Sequence, residues 1–466
     1  MDRIFSVSIP IKEIQQHESK FERSASPGIY YGWVVVAVCF AVMTLASPLV
    51  AAFSVFYVAI LQDLHWSRGN TAIAMSIYLV VNGLTAPFAG GLIDRFGPRR
   101  VMPVGALVTG LALALLSQIT SLWQFYVAFG VIAAMGGAML HIVPLTTVVS
   151  NWFVRNRGTA IGIVTAGQGV GQVAVSFLQY LINRIGWRGA YLVLGAAIAV
   201  IPTTLILLFL FRRPADRGLS VEDETRSEKR KFQDDGARES QEHPNAVVQN
   251  KQLVILDKEW AATEWTVAKA VRTFRFWALT LGMAMFAAGF FIVSVQLVAY
   301  LTDKGYSSIL AASVVSVQGF ITIVGRFTGG ALSDRIGREK TLTLSVISFV
   351  TCLVLLSAGG LIVSPIIVYV FAIFYGIGSG MTLPVLMASA ADLFQGKNFG
   401  SVLGVITLGG FSGGAIGAWL GGYLFDLTHG YSVNFLVAAL FMFVSGSLIW
   451  IARPGGVRLV RVTQAT

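Results

Sequence analysis

Long apolar runs alternate with short polar connections along almost the whole chain. Twelve of these runs have about 20 residues or more, the length that an α-helix needs to cross a hydrocarbon core of about 30 Å. They span residues 33–58, 70–92, 101–119, 122–149, 158–181, 187–211, 275–301, 308–332, 341–361, 364–389, 399–423 and 432–452. The pattern predicts an all-α membrane protein with twelve transmembrane helices.

One long polar segment separates the predicted helices into two groups of six. Residues 212–274 mix both charge signs and contain few aromatic side chains, so we expect a largely disordered cytoplasmic linker, in which EWTVAKAVRTFRFW could form an amphipathic helix. The predicted domains are a tail at 1–32, a six-helix bundle at 33–211, the linker, a second bundle at 275–452 and a tail at 453–466.

Composition and charge support a membrane protein and argue against a nucleic-acid partner. The 466 residues are 55% hydrophobic and only 12% charged, which is too apolar for a soluble globule. Topology explains the net charge of +11, because alternating helix directions put 29 of the 34 Lys and Arg on one side of the bilayer and 4 on the other. Basic residues concentrate on the cytoplasmic side, so both termini are predicted to be cytoplasmic. Arg326 belongs to neither side because it lies inside the eighth helix.

The two groups of six helices repeat each other. The segments GLIDRFGPRR (91–100) and ALSDRIGREK (331–340) end the second and the eighth helix, at an offset of 240 residues that aligns Asp94 with Asp334 and Arg95 with Arg335. Parallel six-helix repeats with a substrate site near the midplane between them are typical of secondary transporters.

The paired G-x-x-D-R-x-G-x-[RE]-[RK] loops resemble the signature of the major facilitator superfamily, and the likeness covers essentially the whole chain. The segments LHWSRGNTAIAMSIYLVVNGLTAPFAGGLIDRFGPRR, NWFVRNRGTAIGI, GWRGAYLVLGA and LVAYLTDKGYS are similar to its monocarboxylate transporter and oxalate/formate antiporter branch. The resemblance implies two six-helix halves that rock around a central substrate. It also implies that Asp94, Arg95, Asp334 and Arg335 belong to gating loops that hold one alternating-access state.

Arg326 is embedded in the apolar sequence ITIVGRFTGG, about 12 Å along the helix from Asp334. An arginine inside a membrane helix costs about 2.5–3.5 kcal/mol on insertion scales and usually faces a partner or water. None of the 23 Asp and Glu falls in the interior of a predicted helix, so we hypothesise that a carboxylate substrate supplies the anion. The alternative is an arginine that bonds backbone carbonyls or extends its side chain to the membrane surface.

The resemblance supports the substrate role, since the monocarboxylate branch carries a substrate-binding Arg at the corresponding place. This chain departs from the branch in two ways. Animal-type carriers have an Asp one turn before that Arg, where this chain has Thr322, and the oxalate branch has a Lys in the eleventh helix, where this chain has no charge. A single binding cation favours a monoanion over a dianion, and the proton-coupling Asp–Arg pair is missing.

His141 is the remaining titratable group inside a predicted helix other than Cys and Tyr. Its charge changes near neutral pH, so it is a candidate proton site or second anion contact; a neutral ring bonded to a backbone carbonyl freed by Pro144 is the alternative. Further polar candidates for substrate binding are Tyr57, Tyr78, Asn82, Gln168, Gln172, Gln296, Tyr300, Gln318, Thr322 and Tyr375. Such residues also form interhelical hydrogen bonds without touching a substrate.

No P-loop, metal-spaced Cys/His cluster or catalytic Ser/His/Asp order is found, so we predict neither an enzyme nor a cofactor, and energy from ion or solute gradients. The expected function is transport of small organic monocarboxylates across a bacterial plasma membrane, by proton symport or anion exchange. The alternatives are an exporter of drug-like or other metabolites, which would not depend on Arg326, and a membrane sensor that binds a ligand without moving it.

Overall fold

The computed structural model describes residues 30–153, 157–211, 250–359, 364–396 and 398–463. Its long helices are α1 (Gly32–Leu64), α2 (Arg68–Phe96), α3 (Pro98–Leu116), α4 (Leu122–Trp152), α5 and α6 (both within Arg157–Phe209), α7 (Phe274–Asp303), α8 (Ser308–Ile336), α9 (Arg338–Gly359), α10 (Pro365–Phe394), α11 (Phe399–Thr428) and α12 (Ser432–Ala452). All twelve predicted helices are present in this part of the chain.

The helical run Arg157–Phe209 crosses the membrane twice, because it reverses at Gly186. The backbone of Gly186 has φ 74°, a left-handed value that glycine adopts without a Cβ penalty. The indole of the next residue, Trp187, donates to Asp63 at the end of α1 (3.2 Å), whereas Arg99 at the start of α3 donates to the carbonyl of Leu207. Residues 157–185 therefore form α5 and residues 187–209 form α6.

The twelve crossings define two faces of the molecule. An even number of crossings puts the start of α1 and the end of α12 on one face, which we call the terminal face. The connections after α1, α3, α5, α7, α9 and α11 lie on the other, which we call the opposite face.

Matching helix boundaries confirm that the two halves repeat each other. The hydroxyl of Ser67 caps α2 by accepting from the backbone N–H three residues on (3.3 Å), and Ser307 caps α8 in the same way (3.3 Å). At the other end of the same helices, Gly97 has φ 84° and Gly337 has φ 97°. Both pairs keep the 240-residue offset, so the same local signals begin and end α2 and α8.

The halves meet through three pairs of helices, α1 with α7, α2 with α11 and α5 with α8. Within the N-terminal half, α3 packs on α6, and within the C-terminal half α8 packs on α10 and α7 on α11. Small residues allow close approach at these contacts; a Cβ built on Gly110 of α3 would lie 2.6 Å from that of Ala199 in α6.

The last part of the polar segment before α7, residues 250–274, is ordered, and the prediction of a largely disordered linker stays a prediction for the residues before it. Strand β1 (Asn250–Ile255) pairs antiparallel with β2 (Arg458–Thr463), and two short helices, Lys258–Ala262 and Val267–Ala270, lead into α7. The stretch EWTVAKAVRTFRFW is thus not one amphipathic helix. Residues 212–249 of the predicted linker lie outside the described residues.

Aromatic packing holds this ordered segment against the C-terminal half. The indole of Trp260 donates to the carbonyl of Leu393 at the end of α10 (2.7 Å), and the guanidinium of Arg275 lies 4.2 Å from the centroid of the Trp260 ring. Trp265 packs edge-on against Phe394, with ring centroids 5.2 Å apart. Buried aromatic contacts and pairing with β2 explain the order that charge composition alone did not predict.

Candidate functional site

Arg326 lies in α8 and reaches across the interface between the two halves. Its Nη1 donates to the carbonyl oxygen of Thr165 (3.2 Å) and its Nη2 donates to Oε1 of Gln168 (2.8 Å), both in α5. The side chain is only partly exposed. Both acceptors are neutral, so the charge of the guanidinium is not balanced by its hydrogen-bond partners.

No carboxylate pairs with Arg326 within the described part of the chain. The ion pairs found there are Arg68 with Asp303, Arg188 with Asp63, Arg275 with Asp257, and Arg338 with both Asp334 and Asp392. A charged group at membrane depth is costly unless a partner or water compensates it. A planar guanidinium with spare donors at such a place suits a bound carboxylate, which it can hold with two parallel hydrogen bonds.

α4 is broken at His141. One helical piece ends at Ala138, the next begins at Ile142, and His141 between them has extended backbone angles (φ −85°, ψ −177°). The N–H groups at the start of the second piece carry the partial positive charge of a helix N-terminus. The break therefore puts an imidazole and a helix N-terminus together inside the membrane, and both can favour an anion.

A row of residues spaced by seven on α5 meets a row with the same spacing on α8. The α5 stripe is Asn183, Ser176, Gly169 and Gly162, and the α8 stripe is Ser316, Ile323 and Gly330. The hydroxyl oxygens of Ser176 and Ser316 are 2.7 Å apart, and Gly169 lies directly against the side chain of Ile323. The two helices are in close contact on the opposite-face side of Arg326.

The same stripes are separated towards the terminal face. A Cβ built on Gly162 or on Gly330 would meet no heavy atom within 4 Å. These glycines lie one heptad beyond the contact of Gly169 with Ile323. The hydrogen bonds of Arg326 to α5 therefore lie at the boundary between the closed and the open part of this interface.

α2 and α11 repeat this arrangement. The hydroxyl of Ser76 donates to the carbonyl of Ala415 (2.6 Å), and a Cβ on Gly83 would lie 2.9 Å from the ring of Phe411. Gly90, one heptad further towards the terminal face on the same side of α2, has open space within 4 Å. Both helix pairs are thus closely packed towards the opposite face and have open space towards the terminal face.

A network of charged and polar groups closes the opposite face. Nη2 of Arg68, at the start of α2, donates to Asp303 at the end of α7 (2.6 Å), and its Nη1 donates to the hydroxyl of Tyr431. The carboxylate of Asp426, at the end of α11, accepts the backbone N–H groups of Arg68 (3.1 Å) and Gly69 (2.7 Å). An anion is favourable at the N-terminus of a helix, so Asp426 caps α2 from the other half.

Three predicted binding residues of the C-terminal half have contacts in the packing of α8 and α7 against α10. Thr322 donates to the backbone carbonyl of Gln318 (2.8 Å) and lies 3.5 Å from the hydroxyl of Ser379 in α10. Gln318 is buried, and the hydroxyl of Tyr375 donates to the carbonyl of Phe290 (3.0 Å). Their polar groups bond within one half.

Two predicted residues of the N-terminal half hold α2 against α4. The amide of Asn82 donates to the carbonyl of Ala134 (3.2 Å), and the ring of Tyr78 packs on Phe129 with centroids 5.1 Å apart. Both side chains are buried. Asn82 thus forms an interhelical hydrogen bond, and Tyr78 packs against a neighbouring helix. Both contacts lie close to the break in α4.

Tyr57, Gln296 and Tyr300 lie nearer the opposite face. Nε2 of Gln296 donates to the hydroxyl of Tyr57 (3.1 Å), and this hydroxyl donates to the carbonyl of Arg68 (3.0 Å). Tyr300 donates to the carbonyl of Leu356 (2.5 Å). Tyr57 and Gln296 thus join the halves beneath the Arg68 network, while Tyr300 bonds within the C-terminal half.

Only one of the two neighbouring glutamines in α5 reaches Arg326. Gln168 accepts from the guanidinium, whereas Gln172, one turn further towards the opposite face, packs directly against Gly319 of α8. Oε1 of Gln172 is buried and has no hydrogen-bond partner in the described structure.

The predicted gating-loop residues lie at the terminal face. They are Asp94, Arg95, Asp334 and Arg335; the two arginines are exposed, and the side chain of Asp94 lies outside what the structure describes. Asp334 accepts from Arg338 (2.8 Å), which also donates to Asp392 at the end of α10 (2.9 Å). This network ties α8, α9 and α10 together inside the C-terminal half.

Sequence reasoning missed the groups that close the opposite face. Arg68, Asp303 and Asp426 all stand at helix ends, where charged residues are common and carry no signal of their own. The sequence did contain one signal for Arg68, because it is one of only 4 basic residues assigned to the opposite side of the bilayer. The carbonyl of Thr165 could not be predicted from residue type, since every residue has one.

Comparison with known proteins places the chain in a family. Residues 33–383 and 348–462 match the family model described as Major Facilitator Superfamily. Monocarboxylate transporter 13 of Bos taurus is 27% identical over 433 residues, which cover 93% of this chain and 91% of that protein. Monocarboxylate transporter 2 of Homo sapiens is 26% identical over 413 residues, which cover 87% of this chain and 82% of that protein. The resemblance stated from the loop motifs is confirmed.

Solved structures support the same fold. A bacterial homologue of the human lysosomal transporter Spinster, in an inward-facing and occupied conformation, has a TM-score of 0.65 at 14% identity, with 91% of this chain and 97% of that chain covered. A D-xylose-proton symporter has a TM-score of 0.64 at 14% identity, with 90% and 97% covered. The family match and the relatives named transporters confirm the expectation that the chain is not an enzyme. The chain belongs to the Major Facilitator Superfamily.

Proposed function

We propose that the chain is a secondary transporter of small organic monocarboxylate anions. The observation that carries the proposal is Arg326, a cation between the two halves whose hydrogen-bond acceptors, Thr165 and Gln168, are both neutral. A carboxylate would supply the missing charge, and relatives named monocarboxylate transporters support that substrate class. One binding cation suits one negative charge, so a monoanion is preferred to a dianion.

The terminal face is cytoplasmic in this proposal, and the membrane is the plasma membrane. Of the 34 Lys and Arg, 29 fall on the terminal side, which matches the bias of cytoplasmic loops. The state with a cavity open at the terminal face is then the inward-open state. The network of Arg68, Asp303, Asp426 and Tyr431 is the gate that must open to admit substrate from outside.

Proton symport through His141 is part of this proposal. The ring lies inside the membrane at the break in α4, and the charge of an imidazole can change near neutral pH. A carboxylate bound to Arg326 would bring a negative charge into the interior, so substrate and proton would bind together and leave together. Among the described residues His141 takes the place of the missing Asp in proton coupling, since position 322 carries Thr.

Gating at the cytoplasmic side would use the loop residues of the two repeats. Asp334 and Arg338 fix the turn between α8 and α9 (2.8 Å), and Asp392 connects that turn to α10. Asp94 holds the equivalent place after α2. We infer that these loops keep the inner ends of each half rigid while the halves rock.

Uptake into proteoliposomes tests the function. Purified protein is given a labelled panel of small mono- and dicarboxylates, with and without an inward proton gradient, as wild type, Arg326→Gln and Arg326→Lys. We expect monocarboxylate flux that the gradient increases, and a loss of about 30-fold or more in Arg326→Gln, because removing one partner of a buried charge pair costs about 2–5 kcal/mol. Arg326→Lys keeps the charge without the planar fork and should lose less.

The opposite results have clear meanings. Flux that is indifferent to Arg326→Gln would make Arg326 structural and place the substrate outside the carboxylates. Binding without flux would indicate a sensor.

A further inference from the structure

We propose that Gln168, together with the carbonyl of Thr165, takes the place of the substrate carboxylate on Arg326 and so allows the empty transporter to reorient. The protein would then carry out net transport instead of obligatory exchange. The inference rests on the proposed function, because it concerns the same anion site.

The geometry of the contact fits this role. The two terminal nitrogens of Arg326 point to two oxygens of α5, at 3.2 Å from Thr165 and 2.8 Å from Gln168. This pair of acceptors occupies donors of the guanidinium that a bidentate carboxylate would use. The acceptors belong to the N-terminal half and Arg326 to the C-terminal half, so the contact also joins the halves.

The location of the contact lets it persist while the halves rock. Towards the opposite face α5 and α8 are closed at Ser176 and Ser316, and towards the terminal face they are separated at Gly162 and Gly330. A rocking motion that exchanges the open and closed ends moves the ends most and the point between them least. Arg326 and Gln168 lie at that point, where their separation changes little between the two states.

The strength of the contact is intermediate, which is what reorientation without substrate requires. A guanidinium without any acceptor would strongly oppose closure of the dry interface around it. A carboxylate in the protein would satisfy it permanently and exclude the substrate. A neutral amide oxygen bonds the cation more weakly than a carboxylate does, so it stabilises the empty state and yields when a substrate carboxylate arrives.

The test compares net flux with exchange in the same proteoliposomes. Net flux is measured with substrate on one side only and exchange with substrate on both sides, for wild type and Gln168→Leu. We expect the ratio of net flux to exchange to fall about tenfold to a hundredfold, the factor for one hydrogen bond to a charged group. The ratio of the two rates is independent of the amount of folded protein.

Gln179→Leu is the matched control. Gln179 lies three turns along α5 on the same side of the helix, and its amide donates to Asn183 (2.8 Å) instead of to Arg326. The same substitution there should leave the ratio of exchange to net flux at the wild-type value.

Gln168→Glu provides a second, opposite test. A carboxylate at this position would pair with Arg326 permanently, so we expect substrate affinity to fall about tenfold or more. Wild-type affinity in Gln168→Glu would overturn the proposal, as would equal loss of net flux and exchange in Gln168→Leu. If wild type itself moves no monocarboxylate, or if Arg326→Gln leaves flux unchanged, the proposed function fails and this inference fails with it.

Discussion

The interface between the two halves is built differently at its two ends. At the opposite face, Arg68 of the first half bonds Asp303 of the second, and Asp426 of the second half caps the helix that Arg68 begins. At the terminal face, the charged contact of Arg338 with Asp334 stays within the C-terminal half. Charges across the interface must separate when that end opens, whereas charges inside one half can stay paired in every state.

This difference separates two tasks. Contacts between halves set the relative stability of the two access states, because only one state contains them. Contacts inside a half set how rigidly that half moves. Mutations at the two ends should therefore change different observables.

The largest effect is expected from fixing the closed end by a disulfide. In Ser176→Cys with Ser316→Cys, two residues whose hydroxyl oxygens are 2.7 Å apart are replaced by thiols. Oxidation should abolish transport and a reductant should restore it, because the opposite face could no longer open. The natural cysteines, Cys39 and Cys352, are buried and unpaired.

The equivalent pair at the open end sharpens the comparison. Gly162→Cys with Gly330→Cys lies on the same two stripes, where the structure has open space within 4 Å of either position. We expect this pair to cross-link slowly, and faster once substrate allows the outward-open state. Equally fast cross-linking of both pairs without substrate would contradict the assignment of closed and open ends.

The next largest effect is expected from Arg68→Gln, which removes the ion pair with Asp303 and the bond to Tyr431. A hydrogen bond to a charged group is worth about 1.5–3 kcal/mol, so the outward-open state should gain roughly tenfold to a hundredfold in population. The measurement is the rate at which an impermeant thiol reagent, added outside, modifies Ser176→Cys.

Arg188→Gln is the control for Arg68→Gln. Arg188 pairs with Asp63 at the same face (2.5 Å), but both residues belong to the N-terminal half. Its loss should leave the labelling rate unchanged. If both variants accelerated the labelling equally, the loss of any ion pair at the opposite face would be enough to loosen it. The effect of Arg68→Gln would then not report a change of access state.

The sequence predicted the helices well and the contacts between the halves poorly, for a physical reason. An apolar run that is long enough to cross a membrane is a local property of the chain. The partner of a buried charge is not: Arg326 bonds Gln168, which is 158 residues away, and only the packing of α5 on α8 brings them together. Arg326 was still identifiable, because a lone charge in an apolar run is itself a local signal.

The polar candidates show the same limit. Gln168 and Gln172 are one turn apart in α5, and that turn decides which of them meets Arg326. The hydroxyls of Thr322 and Tyr375 bond within one half. The ordered strand β1 was missed because its partner, β2, lies at the far end of the chain.

A smaller effect is expected from Asp334→Asn at the terminal face. Asp334 is partly exposed and Arg338 keeps Asp392, so the loss should be about 1 kcal/mol, roughly fivefold in transport rate. Equilibrium binding of substrate, measured on purified protein, should hardly change, because the contact lies inside one half. Lys340→Gln, an exposed neighbour, is the control. Lost binding with a normal rate per bound protein would contradict a gating role.

The smallest effect is expected from His141→Gln. In wild type a lower external pH should increase uptake, because protons favour the charged ring that a carboxylate on Arg326 stabilises. Glutamine keeps hydrogen-bonding capacity but takes no proton, so uptake should lose this pH dependence and fall only about twofold at its best pH, which corresponds to about 0.5 kcal/mol, the lower end of the range for one hydrogen bond. His429→Gln changes an exposed histidine at the opposite face and should keep the wild-type pH profile. If His141→Gln also keeps it, the coupled proton binds elsewhere, and the break in α4 serves the anion alone.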